Sequence, residues 1–315
     1  MMRDYLWVIF LGILATFLYN FFASVLRAVG NSVVPLVFLA ACAILNIVLD
    51  LWFVLGLQWG VKGAAIATVI SQYVSGIGIT IYTYWKMPQF RVQAKYLHPK
   101  FSLVKEIAQF SFLTSRQQSV MNLGILMVQG LVNSCGTVIM AAFAAAVKID
   151  SFAYMPVQDF GNAFSTFVAQ NFGAKKEARI REGIKKAVLM AMAFCIVISI
   201  GVFVFAKPLM LIFVQPEETA ILAAGVEYLR IEGAFYCGIG CLFLLYGFYR
   251  AVTLPGMSVV LTVSSLGTRV VLAYALSSME AIGVTGIWWS VPIGWALADL
   301  VGFLYYRRHK KEFFR

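Results

Sequence analysis

The chain has 315 residues, 61% hydrophobic and 12% charged, with a mean hydropathy of +0.85. A soluble domain carries about 25% charged residues, so this composition excludes a soluble enzyme, a disordered chain and a nucleic-acid-binding domain, and predicts an all-α polytopic membrane protein. Outer-membrane barrels, whose strands alternate over about 10 residues, are excluded by the long unbroken apolar runs.

Nine spans are predicted, at 6–26, 33–55, 62–85, 106–132, 137–170, 184–206, 226–249, 256–278 and 283–305. Each is near the roughly 20 residues that a helix needs to cross about 30 Å of hydrocarbon. The fifth is too long for one straight crossing, and Pro156 predicts a kink in it. Gly30, Gly60, Gly136, Gly173 and Gly283 mark junctions, and Pro255 precedes the eighth span.

The formal net charge of +11 is explained by its placement. Three segments, 86–105, 175–186 and the C-terminal tail, hold sixteen of the twenty-five Lys and Arg residues. All three fall on one side when nine spans alternate, and the positive-inside rule makes that side cytoplasmic. The C-terminus is therefore expected inside and the N-terminus outside. Trp52, Trp59, Trp85, Trp288 and Trp289 read as anchors at the membrane interfaces. The five cysteines are scattered through apolar segments without a CxxC pair, and the two histidines lie in basic loops, so no metal site and no cofactor is expected.

Ionisable residues inside a membrane are costly, which makes each one a site candidate. In the fourth span Arg116 is ten residues past Glu106, about 15 Å deep. Gln118 and Asn122 share a helix face there. This polar run reads either as the wall of a wet cavity or as a set of interhelical hydrogen bonds. The fifth span carries Lys148, Asp150 and Asp159. Lys148 and Asp150, two residues apart, point in different directions, so each needs a partner on another helix; Arg116 to Asp150 is one expected pair. Asp150 reads either as half of a structural ion pair or as a carboxylate that exchanges a proton or cation. Arg269 lies deep in the eighth span, with Glu232 as its expected counter-charge. Arg27 and Arg250, at inner helix ends, are expected to snorkel to phosphates.

The chain also matches itself. Sliding it by 223 residues lays 5–85 on 228–308 without a gap, bringing Tyr5-Leu6 onto Tyr228-Leu229, Arg27-Ala28-Val29 onto Arg250-Ala251-Val252, and Gly60-Val61 onto Gly283-Val284. Asn46 falls on Arg269. Both copies run in the same sense, and parallel repeats of this kind build secondary transporters.

Four stretches carry a family resemblance: Leu26-Arg-Ala-Val-Gly-Asn-Ser-Val-Val-Pro35, Asn46-Ile-Val-Leu-Asp50, the run from Gly60 to Gln72, and Ser165 to Ala174, which reads STFVAQNFGA. They resemble the multidrug and toxic compound extrusion family. The resemblance covers nearly the whole chain and implies twelve helices in two six-helix lobes around a central cavity. It also implies export of cationic or amphipathic drug-like compounds in exchange for Na⁺ or H⁺. Against that pattern the first three helices have no counterpart here, so no position inherits the first-helix carboxylate that carries proton coupling in many members.

The expected organisation is then 1–88 as the last three helices of one lobe, 89–105 as a basic cytoplasmic linker and 106–315 as a complete lobe. The expected partners are a small-molecule substrate and the lipid bilayer, without nucleic acid, in a bacterial plasma membrane and as a monomer when full length. A lipid-linked glycan flippase of the same wider grouping and an inactive fragment are the competing readings. The mixed signs of the candidates favour the ion-coupled exporter.

Overall fold

The computed structural model describes residues 2–90, 100–310 and 313. The expected linker residues 91–99, with Arg91, Lys95 and His98, and the tail residues Lys311 and Arg315 lie outside the described set. The described residues contain twelve α-helices and no strand: α1 Met2–Leu11, α2 Ile13–Ala28, α3 Val33–Leu51, α4 Gly60–Lys86, α5 Phe101–Ser134, α6 Thr137–Gly173, α7 Glu177–Met210, α8 Thr219–Ala234, α9 Tyr236–Ala251, α10 Pro255–Thr262, α11 Thr268–Ser277 and α12 Thr285–His309. An all-helical chain is the outcome that hydrocarbon imposes, because only a helix satisfies every backbone N–H and C=O within one segment.

Seven helical segments among the described residues have the length and apolarity of membrane spans, and the bent pair α8–α9 supplies an eighth. The ninth expected span is α5. It is long enough at 34 residues, but its polar run keeps it below the apolarity of the others. Two expected spans are not single helices. The first is broken at Gly12 into α1 and α2. The seventh, expected over 226–249, breaks at Phe235 (φ −116°, ψ 18°), with 52° between its arms. By contrast α6 runs continuously through Pro156 for 37 residues.

The chain divides into two compact units, Met1–Lys100 and Phe101–Arg315. In the first, α4 packs against α2 and α3. In the second, α6 packs against α9, α8 and α7, and α12 against α11, α9 and α8. The α6–α9 crossing is close because neither helix carries a side chain there: a Cβ on Gly247 would lie 2.5 Å from the Gly161 carbonyl oxygen. Small residues at such crossings are the usual means by which membrane helices gain packing.

The 223-residue shift maps one set of chain features onto the other. The break at Gly12 falls on the break at Phe235, so α2 (13–28) maps onto α9 (236–251) residue for residue. Lys86, the end of α4, maps onto His309, the end of α12. Gly60 and Gly283 both sit in the left-handed region (φ 56° and 54°), as do Gly30 and its counterpart Thr253 (φ 86° and 61°). Arg27 Nε and Arg250 Nε each donate to the carbonyl four residues back, both at 3.2 Å. This degree of local agreement supports a duplicated three-span unit.

Candidate functional site

In the second unit, α6, α8 and α9 bring four ionisable side chains together in the protein interior. Asp150 and Glu232 are 6% and 3% exposed. The Tyr228 hydroxyl lies between them, 2.7 Å from Asp150 Oδ2 and 2.6 Å from Glu232 Oε2. The Tyr236 hydroxyl donates to the other oxygen, Asp150 Oδ1. Tyr228, Glu232 and Tyr236 follow each other at intervals of four residues, so one face of the broken helix presents all three to α6.

Aromatic rings wall the cluster. Phe143 and Tyr228 meet edge to face at 5.5 Å, Tyr228 and Trp288 at 5.0 Å, and Phe143 stacks on Trp288 at 5.7 Å. Trp288 is therefore a core residue, 1% exposed, and not the interface anchor its sequence position suggested. With the rings excluding water, electrostatic interactions inside the cluster act in a low dielectric and each unmet polar atom is expensive.

The remaining candidates are placed as follows. Arg269 is in electrostatic range of Tyr228 and Glu232, and its buried Nε has no hydrogen-bond partner. The expected Arg269–Glu232 ion pair is not formed among the described residues; Glu232 Oε2 instead receives the Tyr228 hydroxyl. The expected Arg116–Asp150 pair is also absent. Arg116 is exposed with its guanidinium 5.7 Å from the Phe112 ring centre, and two tyrosines satisfy Asp150 instead. Lys148 lies over Phe213 at 5.6 Å. Gln118 Nε2 donates to Asn122 Oδ1 at 3.4 Å on an exposed face of α5. Asp159, nine residues and about half a turn of azimuth from Asp150, is exposed. Arg250, expected at phosphates, donates from Nη2 to Asn162 Oδ1 at 3.0 Å and so joins α9 to α6.

Of the eight candidates, Asp150 and Glu232 are brought into contact through Tyr228, and Arg269 lies near them. The residues that sequence reasoning missed are Tyr228, Tyr236, Phe143 and Trp288. The four-residue spacing of Tyr228, Glu232 and Tyr236 was the available signal. Among the described residues no group of three or more His, Cys, Asp or Glu could hold a metal ion. The first unit has a cavity of about 380 Å³ lined by Ile9, Ile13, Thr16, Phe17, Asn20 and Gln72. A larger cavity, about 530 Å³, lies at the α6–α7 junction beside Lys176 and Arg179, away from the acidic cluster.

A multi-pass helical bundle with ionisable side chains buried in its interior fits the class of membrane transport proteins. The MatE family profile matches residues 1–52 and 112–275. The probable multidrug resistance protein YpnP of Bacillus subtilis is 30% identical over 97% of this chain and 67% of its own length. The probable multidrug resistance protein NorM of Thermotoga maritima is 27% identical, over 91% of this chain and 62% of its own length. A solved outward-facing multidrug resistance MATE family transporter of the MOP superfamily superposes with a TM-score of 0.91 at 21% identity, over 99% of this chain and 70% of that one. The chain belongs to the MatE family, whose members are transporters rather than enzymes. It spans about two thirds of the length of the relatives it matches.

Proposed function

We propose that this protein exports cationic or amphipathic small molecules across the plasma membrane in exchange for H⁺ or Na⁺, with the coupling ion taken up at Asp150. The observation that carries the reading is the pair of buried carboxyls bridged by one phenol. Tyr228 has a single hydroxyl hydrogen and two carboxyl oxygens within hydrogen-bond distance. A second proton must therefore sit on a carboxyl for both contacts to be attractive. Asp150 already receives Tyr236 as well as Tyr228, which favours its ionised form, because a carboxylate is an acceptor only. Glu232 then holds the second proton and donates it to the Tyr228 oxygen. A cluster that stores one proton beside an ionised carboxylate can exchange that proton, or admit a cation in its place, at modest cost.

The multidrug names of YpnP and NorM support a drug-like substrate. The same reading has the C-terminus in the cytoplasm, on the charge pattern, and the full-length protein as a monomer that binds no nucleic acid and needs no cofactor beyond the coupling ion. It treats 1–88 as half of one lobe, 89–105 as a linker and 106–315 as the other lobe, in keeping with the internal repeat.

The test is dye extrusion from liposomes under imposed H⁺ and Na⁺ gradients. It is run with the chain as given and with the chain joined to the portion of YpnP that it does not match. Whichever form extrudes dye under a gradient should lose that activity to background in Asp150→Asn while inserting normally. Undiminished gradient-driven extrusion by Asp150→Asn refutes the assignment.

A further inference from the structure

Residues 175–186 carry six Lys and Arg residues and two Glu residues. The positive-inside rule accounts for their number, and the structure sorts their places. Lys176, Arg179 and Lys186 line the cavity of about 530 Å³ where the end of α6 meets the start of α7. Lys175, Arg181 and Lys185 are exposed and do not line it. Inside the lining the charges do not cancel. Lys186 Nζ lies 2.7 Å from Glu182 Oε1, so the carboxylate of the lining is already matched. Lys176 and Arg179 make no ion pair among the described residues. Asn171, 8% exposed, is the buried polar member of the lining. One of its two amide hydrogens goes to the Phe167 carbonyl at 2.8 Å.

The place of the cavity along α7 says which anion it meets. α7 has 34 residues, about 51 Å at 1.5 Å each, against about 30 Å of hydrocarbon. Its first turns therefore stand among lipid headgroups, in keeping with a span expected at 184–206. Beyond Lys186 the same helix face turns apolar: Met190, Phe194 and Val197 follow at four, eight and eleven residues and are exposed. In a bilayer such a strip lies against acyl chains.

We propose that this cavity binds one anionic glycerophospholipid, its phosphate held by Lys176 and Arg179 and its acyl chains laid along Met190, Phe194 and Val197. A guanidinium presents a planar fork of donors that matches phosphate oxygens, and a lysine adds a point charge. Basic pockets between membrane helices are where anionic headgroups lodge. A free phosphate would use the basic rim alone; the apolar strip running on from it is what selects a lipid.

The experiment measures binding of phosphatidylglycerol, labelled on an acyl chain, to the delipidated full chain in detergent. Unlabelled phosphatidylglycerol, phosphatidylcholine and inorganic phosphate serve as competitors. Two double variants remove the same charge from the same segment: Lys176→Gln with Arg179→Gln inside the cavity, and Lys175→Gln with Lys185→Gln outside it. All four positions are exposed, and the Lys176 side chain caps no helix, so both variants should fold. The cavity variant should bind about thirtyfold more weakly, the effect of two basic residues at a membrane surface. The outside variant should change affinity by less than about threefold, and phosphatidylcholine should compete poorly. An equal loss in the two variants overturns the site, because any two charges of the segment would then serve. Equal competition by phosphatidylcholine overturns it as well. Displacement by inorganic phosphate as complete as by phosphatidylglycerol at matched concentration assigns the cavity to a free phosphate and overturns the lipid. The measurement needs no transport, so it stands apart from the reading of Asp150.

Discussion

Residues 5–85 and 228–308 follow the same chain path and bury different chemistry. In the first copy the buried polar side chains are Ser71, Ser75 and Thr83, and each hydroxyl donates to a backbone carbonyl, of Ala67, Phe38 and Ile79. In the second copy the interior holds Glu232 against Tyr228, with Arg269 close by. The path is kept by turn glycines and helix breaks that coincide under the 223-residue shift. The chemistry diverges at a few positions: Ile9 against Glu232, Ile13 against Tyr236, Asn46 against Arg269. Asn46 donates to Thr68 Oγ1 at 3.4 Å. A duplicated scaffold can therefore carry different polar chemistry in its two copies without altering the fold.

The largest effect is expected from erasing that difference. Glu232→Ile gives the second copy the residue that the first has at the equivalent place. It removes the proton-storing carboxyl and leaves Asp150 ionised with both tyrosines. Gradient-driven extrusion by the complete transporter should fall to background while the protein still elutes as a folded species. Retained coupling would mean that the two copies do not differ in function at this position.

A stability comparison comes next. Gly247 corresponds to Ser24 under the shift. Gly247→Val drives a side chain into the Gly161 carbonyl and should cost about 1–3 kcal/mol or more, the range for overpacking. Ser24 is exposed, and Ser24→Val should change stability by less than about 0.5 kcal/mol. Thermal unfolding in detergent separates the two. Equal shifts would show that the α6–α9 contact is looser than the geometry indicates.

The smallest effect concerns the turns. Gly30 and Thr253 are equivalent and both left-handed. Gly30→Thr should destabilise by about 1–2 kcal/mol, and Thr253→Gly should stabilise by less than about 1 kcal/mol, because a left-handed residue with a Cβ carries a steric cost that glycine avoids. Opposite signs in the melting shifts sharpen the repeat; shifts of the same sign blur it.

Most of the fold was legible because hydrocarbon leaves few options. The runs of apolar residues predicted helices, and Gly30, Gly60, Gly136 and Gly283 marked turns where the backbone does adopt positive φ. The breaks at Gly12 and Phe235 were not legible. Neither site carries a proline, and the second coincides with hydrogen bonds from side chains on both arms to a helix distant in sequence. The site was half legible. Asp150 and Glu232 stood out as buried charges, but charge alone suggested arginines as their partners. Tyrosine is abundant in this chain and apolar in pattern, so the four-residue spacing of Tyr228, Glu232 and Tyr236 was the one local sign that these phenols share a face with a carboxyl. Trp288 misled for a related reason, since an indole near a helix end is as compatible with a core as with an interface.

The central claim is that the buried cluster stores a proton on Glu232 beside an ionised Asp150. Infrared spectroscopy of the full chain at neutral pH tests it directly, through the C=O stretch of a protonated carboxylic acid. The account predicts a band component that shifts in D₂O, is present in the wild type and disappears in Glu232→Gln. A wild type without that component, or a Glu232→Gln protein that keeps it unchanged, would contradict the account.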